Sequence, residues 1–177
     1  MHTNIDLFET IPCPLCGSTE FKVIYPSKYP TRILKNDLLQ IYRSSSDQKL
    51  LDQMVSCTSC SLIYLNPRVN PAIILESYSA SVDPTFVKQN KMRIRTFDRE
   101  LRRLIKQYGI VIDKRKRILD IGCAGGAFLK AAHDLGFSVV GVEPSSWLCE
   151  YGKNEYGLDL CSGVLSEQDF DYASFDI

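Results

Sequence analysis

The chain has 177 residues, 45% apolar and 24% charged, with a formal net charge of zero. This composition is typical of a globular protein with one ordinary domain or two small ones. The sequence contains no run of about 18 apolar residues, and its N-terminus lacks the basic and apolar regions of a signal peptide. We therefore expect no membrane span and a cytoplasmic protein.

Two CxxC pairs dominate the first 70 residues, one at Cys13 and Cys16 and the other at Cys57 and Cys60. Each pair can form a tight turn that places two thiolates on one metal ion. Four such sulfurs make the closed tetrahedral shell of structural zinc. Two disulfides are the competing interpretation, which the reducing cytoplasm disfavours. We predict a small zinc-binding β module over residues 1–70.

The zinc predicted here has a structural role. A shell of four sulfurs leaves no coordination position for a reacting water. The 40 residues between the pairs exceed the compact spacing of about 15–20, which lengthens the loop without changing the ligands. Cys149 and Cys161 lack metal spacing, and we interpret both as small core residues.

A basic helical connector is predicted over residues 71–116. A short helix follows Pro71, and a longer one runs from about 85 to 108, with apolar residues mostly three or four apart. Between Lys88 and Arg117 there are 12 Lys and Arg against three acids. This charge could attract an anionic partner such as a nucleotide-linked sugar or RNA. Because no aromatic cluster accompanies it, we favour a solvated helix face.

Strands and helices alternate from residue 117 onward. Strands are predicted at 118–121, 138–142 and 158–161, helices at 127–135 and 146–156, and the start of a fourth strand at 175–177. Apolar strands separated by helices indicate a parallel sheet covered on both faces. Residues 117–177 are therefore predicted to form part of a Rossmann-like α/β domain, with its first three strands and the start of the fourth.

A glycine-rich turn follows the first of these strands, with Gly122, Gly125 and Gly126 leading into a helix. Such a turn lets a ligand approach the backbone amides at a helix N-terminus. A dinucleotide pyrophosphate prefers a glycine where Ala124 stands, and Asp120 would place a negative charge near its phosphates. A cofactor with cationic groups is compatible with Asp120.

Glu143 ends the second strand, 21 residues after Gly122. A carboxylate at this position can accept hydrogen bonds from both hydroxyls of an adenosine ribose. Nicotinamide-dependent enzymes share this feature, so Glu143 indicates an adenosine ligand without choosing between classes. A solvated acid at a strand end is the alternative interpretation.

These motifs resemble those of class I S-adenosylmethionine-dependent methyltransferases. Ile118–Leu129 is similar to the first motif of that family, and Val139–Ser145 is similar to the second. Gly163–Glu167, followed by Ser174–Ile177, resembles the third-strand loop and the beginning of strand four. The CxxC pairs, followed by Tyr64–Arg68, resemble a subgroup with an N-terminal zinc-binding region. Ala124 and Ser61 depart from the pattern at positions where relatives often have glycine.

The resemblance implies a ligand for each part of the predicted site. Asp120, Gly122, Cys123 and Gly125 should surround the methionine part of S-adenosylmethionine. Glu143 should hold its ribose, and Leu165 with Ser166 should border the adenine. The implied reaction is methyl transfer to an unidentified acceptor, with a sugar-like small molecule favoured. Neither histidine of the chain has the setting of a catalytic base, so none is assigned.

Three functions therefore follow from the sequence, in order of preference. The first is a methyltransferase cofactor domain with structural zinc. The others are an NAD-dependent oxidoreductase, disfavoured by Asp120 and Ala124, and a zinc-ribbon adaptor that binds nucleic acid. In the family, residues on the acceptor side follow strand four. We therefore expect a shortened chain that binds the cofactor and is incapable of turnover alone.

Overall fold

The computed structural model describes residues 6–43, 50–80 and 82–177. The chain divides into two compact units, Met1–Tyr78 and Ser79–Ile177, which are described separately below. The domain boundaries predicted at residues 70 and 116 stay predictions. In the described ranges, no helix has the length and apolar character needed to cross a membrane.

The first unit is built from short strands and two helices. Its strands are β1 (Phe8–Glu9), β2 (Phe21–Tyr25), β3 (Met54–Cys57), β4 (Ile63–Leu65) and β5 (Arg68–Val69), and its helices are α1 (Lys35–Ile41) and α2 (Pro71–Ser79). Strands β2, β3 and β4 form an antiparallel sheet, and β1 pairs antiparallel with β5. Leu38 of α1, Val69 of β5 and Ile73 of α2 form a small core that packs these elements together.

The second unit alternates helices and strands as predicted. It contains helices α3 (Pro84–Lys88), α4 (Asn90–Tyr108), α5 (Ala127–Leu135) and α6 (Ser146–Tyr156), a 3-10 helix (Leu165–Glu167), and strands β6 (Arg117–Ile121), β7 (Ser138–Glu143) and β8 (Leu160–Ser162). The single long helix predicted from about 85 to 108 is divided in two at Gln89. The first part begins at Asp83, whose carboxylate accepts a hydrogen bond from the Phe86 N–H at 2.9 Å.

Strands β6, β7 and β8 form a parallel sheet, with β7 in the centre. The end of the chain extends this sheet beyond β6. Asp176 N–H donates to the Arg117 carbonyl at 2.9 Å, and Leu119 N–H donates to the Ile177 carbonyl at 2.9 Å. This is the bonding pattern of a parallel pair. Residues 176 and 177, predicted as part of the start of a fourth strand, thus bond to β6, although the sheet itself has three strands.

The core of the second unit lies between the sheet and its helices. Its buried residues include Ile118, Leu129, Val139 and Leu160. Gly141, in the middle of β7, permits close approach of these layers. A Cβ built on it would lie 2.6 Å from methyl carbons of both Leu129 and Leu160. This packing fixes α5, and with it the glycine turn that precedes α5.

Candidate functional site

The four cysteines of the CxxC pairs come together in the first unit. Their sulfurs all lie within 4.8 Å of one another. Sγ of Cys13 lies 3.5 Å from that of Cys60, and Sγ of Cys16 lies 3.6 Å from that of Cys57. A tetrahedral zinc with bonds of 2.3 Å would separate its sulfurs by about 3.8 Å. All four are free thiols, so the donor set fits zinc and the disulfide alternative is not formed.

The two CxxC turns share one backbone geometry. Gly17 N–H donates to the Cys13 carbonyl at 2.8 Å, and Ser61 N–H donates to the Cys57 carbonyl at 3.0 Å. Gly17 and Ser61 both have left-handed φ angles, 75° and 63°. Serine at the position of the usual glycine therefore keeps the turn. Backbone N–H groups, first that of Cys60, lower the pKa of the Cys57 thiol to about 6. The Leu62 N–H lowers the pKa of the Cys60 thiol, but burial and the neighbouring thiols outweigh this effect and raise that pKa to about 12.

The glycine turn lies at the C-terminal end of β6, where ligands of parallel sheets bind. Gly122 adopts a φ of 77°, and its N–H donates to the Val142 carbonyl at 2.8 Å. Cys123 N–H donates to the same carbonyl at 3.2 Å. These bonds attach the turn to the end of β7. Ala124 also has a left-handed φ, 48°, a conformation that costs a residue with a Cβ some strain.

A cavity of about 470 Å³ opens beside this turn. From the turn and the end of β6, its wall contains Asp120, Gly122, Cys123 and Gly125. Four of the seven residues predicted to contact the cofactor thus face a common space. The remaining three, Glu143, Leu165 and Ser166, are not part of this wall.

The pKa values of Asp120 and Cys123 are raised above those of free side chains. Burial raises the pKa of the Asp120 carboxyl, and the nearby negative charge of Glu143 raises it further. Burial also raises the pKa of the Cys123 thiol strongly. The thiol therefore stays neutral and is a poor nucleophile. Asp120 is the group whose charge a cationic ligand would stabilise.

Glu143 is fully buried and its carboxylate is already hydrogen-bonded. One oxygen accepts from the Ala124 N–H at 2.9 Å and the other accepts from the Ser145 N–H at 2.9 Å. The side chain thereby joins the glycine turn to the beginning of α6. An ionised carboxylate has about four acceptor sites, and these two bonds occupy two of them. The predicted contact of Glu143 with a ribose stays a prediction.

Leu165 and Ser166, the residues predicted to border an adenine, belong to the 3-10 helix after β8. Both are exposed. Their predicted role stays a prediction.

Seven further residues of the cavity wall were not predicted as site residues: Ala124, Ala127 and Phe128 from the turn and α5, and four from outside this segment. These four come from helices α3 and α4 and are Phe86, Asn90, Arg93 and Phe97. Phe86 and Phe97 belong to an apolar stripe that indicated core packing, and Phe97 does pack on Phe128 with ring centroids 5.6 Å apart. Asn90 stands out only because it is a buried polar residue, and its burial cannot be read from the sequence.

One family of known proteins matches a segment that includes most of the second unit. Residues 91–174 match a family described as a methyltransferase domain. No curated protein matches the chain. The matched segment, slightly less than half of the chain, is thus similar to a methyltransferase domain and contains the parallel sheet and its glycine turn.

Similar solved structures include three methyltransferases. One from Clostridium acetobutylicum ATCC 824, described as dependent on S-adenosylmethionine, is 15% identical, with a TM-score of 0.38 over 49% of this chain and 38% of its own. Another such enzyme, from Archaeoglobus fulgidus, is 24% identical, with a TM-score of 0.33 over 46% and 35%. A TehB-like enzyme from Corynebacterium glutamicum is 20% identical, with a TM-score of 0.30 over 46% and 50%. The present chain thus spans half or less of each structure.

Proposed function

We propose that the second unit is the cofactor-binding part of an S-adenosylmethionine-dependent methyltransferase. The observation that carries the proposal is the cavity beside the glycine turn, where the Asp120 carboxylate and bare backbone face the same space. Ionised Asp120 in this wall favours a cofactor with cationic groups and opposes the phosphates of NAD. A methyl side chain at Ala124 also narrows the approach that a pyrophosphate needs.

The bound cofactor supplies an electrophilic methyl group, so the protein need not form a covalent bond itself. The chain's own residues hold and orient it. The glycine turn positions the amino-acid part, and Asp120 stabilises its positive charge. Glu143 keeps the turn in place and, after a local rearrangement, accepts hydrogen bonds from the ribose. The acceptor we expect is a small molecule. It must be aligned with the methyl group by residues other than those that hold the cofactor.

The first unit, we further propose, binds one structural zinc ion through Cys13, Cys16, Cys57 and Cys60. The sulfur separations and the closed set of four thiols support this.

The alternative of a nucleic-acid adaptor has less support. Several charges of the basic segment are compensated within it: Arg102 contacts Asp98 at 3.0 Å, Arg103 contacts Glu100 at 2.9 Å, and Arg115 pairs with Asp113. Charges paired in this way attract a polyanion less strongly than free ones. We therefore keep the solvated helix face as the interpretation of this segment.

Isothermal titration of the zinc-loaded chain with S-adenosylhomocysteine and with NAD tests the proposal. We expect the homocysteine derivative to bind and NAD not to bind. Gly125→Val should abolish binding, because even a Cβ there would lie 3.0 Å from Nδ2 of Asn90 and 3.2 Å from the Tyr151 ring. Gln107→Ala, at an exposed position of α4 outside the cavity wall, is the control. Binding of NAD alone would refute the assignment.

A further inference from the structure

Helix α4 contributes a cation and a buried amide to the cavity beside the glycine turn. Arg93 and Asn90 lie one turn apart on this helix, and both belong to the cavity wall. The wall therefore holds positive charge from α4 and negative charge from Asp120 on β6. A ligand that matches both must itself carry both signs.

Several contacts position the Arg93 guanidinium, but in the described part of the chain no acid neutralises its charge. Its guanidinium lies 3.7 Å from the ring centre of Phe86, and Nη1 donates to the Phe86 carbonyl at 3.0 Å. Nη1 also donates to Oδ1 of Asn90 at 3.3 Å, and Nη2 donates to Oε1 of Gln89 at 3.4 Å. Among the described residues, no acid lies within ion-pair distance of it. With five N–H donors, the guanidinium keeps donors for a bound anion.

Asn90 supplies a second donor at the same place. The residue is 1% exposed, and its Nδ2 has no hydrogen-bond partner in the described structure. A buried donor without an acceptor is destabilising, so such groups are usually satisfied by a ligand or a water. Nδ2 lies 3.0 Å from the position of a Cβ built on Gly125, which places the amide against the glycine turn.

We propose that Arg93 and Asn90 form the carboxylate subsite for the amino-acid end of the cofactor. The inference rests on the proposed function, because it assigns a part of the same ligand. A carboxylate beside the turn would accept from the free N–H groups of the guanidinium and from Nδ2 of Asn90. The ammonium and sulfonium of the same ligand would then be stabilised by Asp120. One zwitterion thus matches both charges of the wall.

Two ligands that differ only by the carboxylate test this subsite. S-adenosylhomocysteine carries it, and S-adenosyl-3-thiopropylamine lacks it but keeps the amine. We expect the full chain to bind the first about 10- to 100-fold more tightly, the range for hydrogen bonds to a charged group. Arg93→Ala should remove most of that preference by weakening only the first ligand. Unchanged binding of the amine also shows that the variant is folded.

Matched variants sharpen the comparison. Arg95→Ala removes the same charge from an exposed position on α4 outside the cavity wall, and both affinities should stay within about twofold. Arg93→Lys keeps the positive charge and the stem beside Phe86, and we expect a loss smaller than that of Arg93→Ala. If Arg93→Ala does not fold, the lysine variant and the wild-type comparison still decide the question.

The possible failures are distinguishable. If wild type binds both ligands with equal affinity, or Arg93→Ala weakens both equally, the carboxylate assignment is wrong and the proposed function stands. If Arg95→Ala reduces the preference as much as Arg93→Ala, long-range charge rather than a built subsite is responsible, and the assignment is again wrong. If neither ligand binds wild type, the proposed function fails and the subsite with it.

Discussion

Replacement of Glu143 by glutamine tests how the glycine turn is held. The change keeps the size of the side chain and removes its charge and one of its two acceptor oxygens. In the structure both oxygens accept from backbone N–H groups at 2.9 Å, those of Ala124 and Ser145. In the glutamine variant the side-chain NH2 group would face one of these N–H groups, so that two donors meet. That N–H would then be buried without an acceptor.

The expected cost follows from these contacts. A hydrogen bond to a charged group contributes about 1.5–3 kcal/mol, and a buried donor without a partner costs about 1–3 kcal/mol. Part of this is offset, because the variant no longer buries a charge beside Asp120. We therefore expect Glu143→Gln to lower the free energy of unfolding by about 2 kcal/mol. For a chain of this size that corresponds to a fall in Tm of about 4–8 °C.

Urea unfolding followed by tryptophan fluorescence is the suitable assay. Trp147, the single tryptophan, lies in α6, two residues after Ser145, so its signal reports on this unit. Glu150→Gln is the control, since Glu150 is exposed on the same helix and its replacement should change stability by less than about 0.5 kcal/mol. If both variants unfold at the same urea concentration, Glu143 does not hold the turn and the reasoning is refuted.

Three further changes have defined outcomes. Cys57→Ser should abolish stoichiometric zinc binding in metal analysis of the purified chain, because a closed shell needs all four sulfurs; retained zinc would exclude the predicted site. Gly152→Ala should destabilise the second unit by about 1–3 kcal/mol in the same fluorescence assay, because its Cβ would lie 2.4 Å from a methyl carbon of Leu160 and 3.2 Å from the Gly125 carbonyl oxygen; an unchanged midpoint would contradict that packing. Asp120→Asn should stabilise the free protein at neutral pH, as urea unfolding would show, and weaken its binding of S-adenosylmethionine in titrations.

The parts of the site predicted from the sequence are those made by contiguous residues. A CxxC turn is only four residues long, so its geometry follows from local chemistry, and the remaining step is to bring two such turns together. The strand and turn from Ile118 to Gly126 are also local. Their lengths and apolar patterns were sufficient to predict the parallel sheet, whereas the position of residues 176 and 177 beside β6 was not predicted.

The parts that the sequence did not predict depend on tertiary packing. Arg93 looked like one charge among many in a basic helix, and only the packing of α4 shows that it belongs to the cavity wall. Glu143 was predicted to face a ribose, but its direction depends on which backbone N–H groups lie nearby. Folding placed two of them within reach, and the acid is buried between them. Neither the place of Arg93 in the cavity wall nor the direction of the Glu143 carboxylate can be read from the sequence.

Asp120 and Glu143 therefore have opposite effects on stability, although both are acids at the same turn. Glu143 has partners, whereas burial and the charge of Glu143 raise the pKa of Asp120 above its unfolded value. A raised carboxyl pKa means that the folded state binds the proton more tightly than the unfolded state. Stability from this group is thus present below about pH 4 and is lost as the pH rises through the folded pKa.

The stability difference between Asp120→Asn and wild type should follow the same pH dependence. It should be near zero below about pH 4, where Asp120 is neutral in both states, and largest above its folded pKa. A bound sulfonium would reverse the effect of the charge, because it stabilises the ionised carboxylate. The variant should therefore lose more affinity for S-adenosylmethionine than for S-adenosylhomocysteine, which keeps the ammonium but has an uncharged sulfur. Equal losses would show that Asp120 shapes the cavity without sensing the charge of the cofactor.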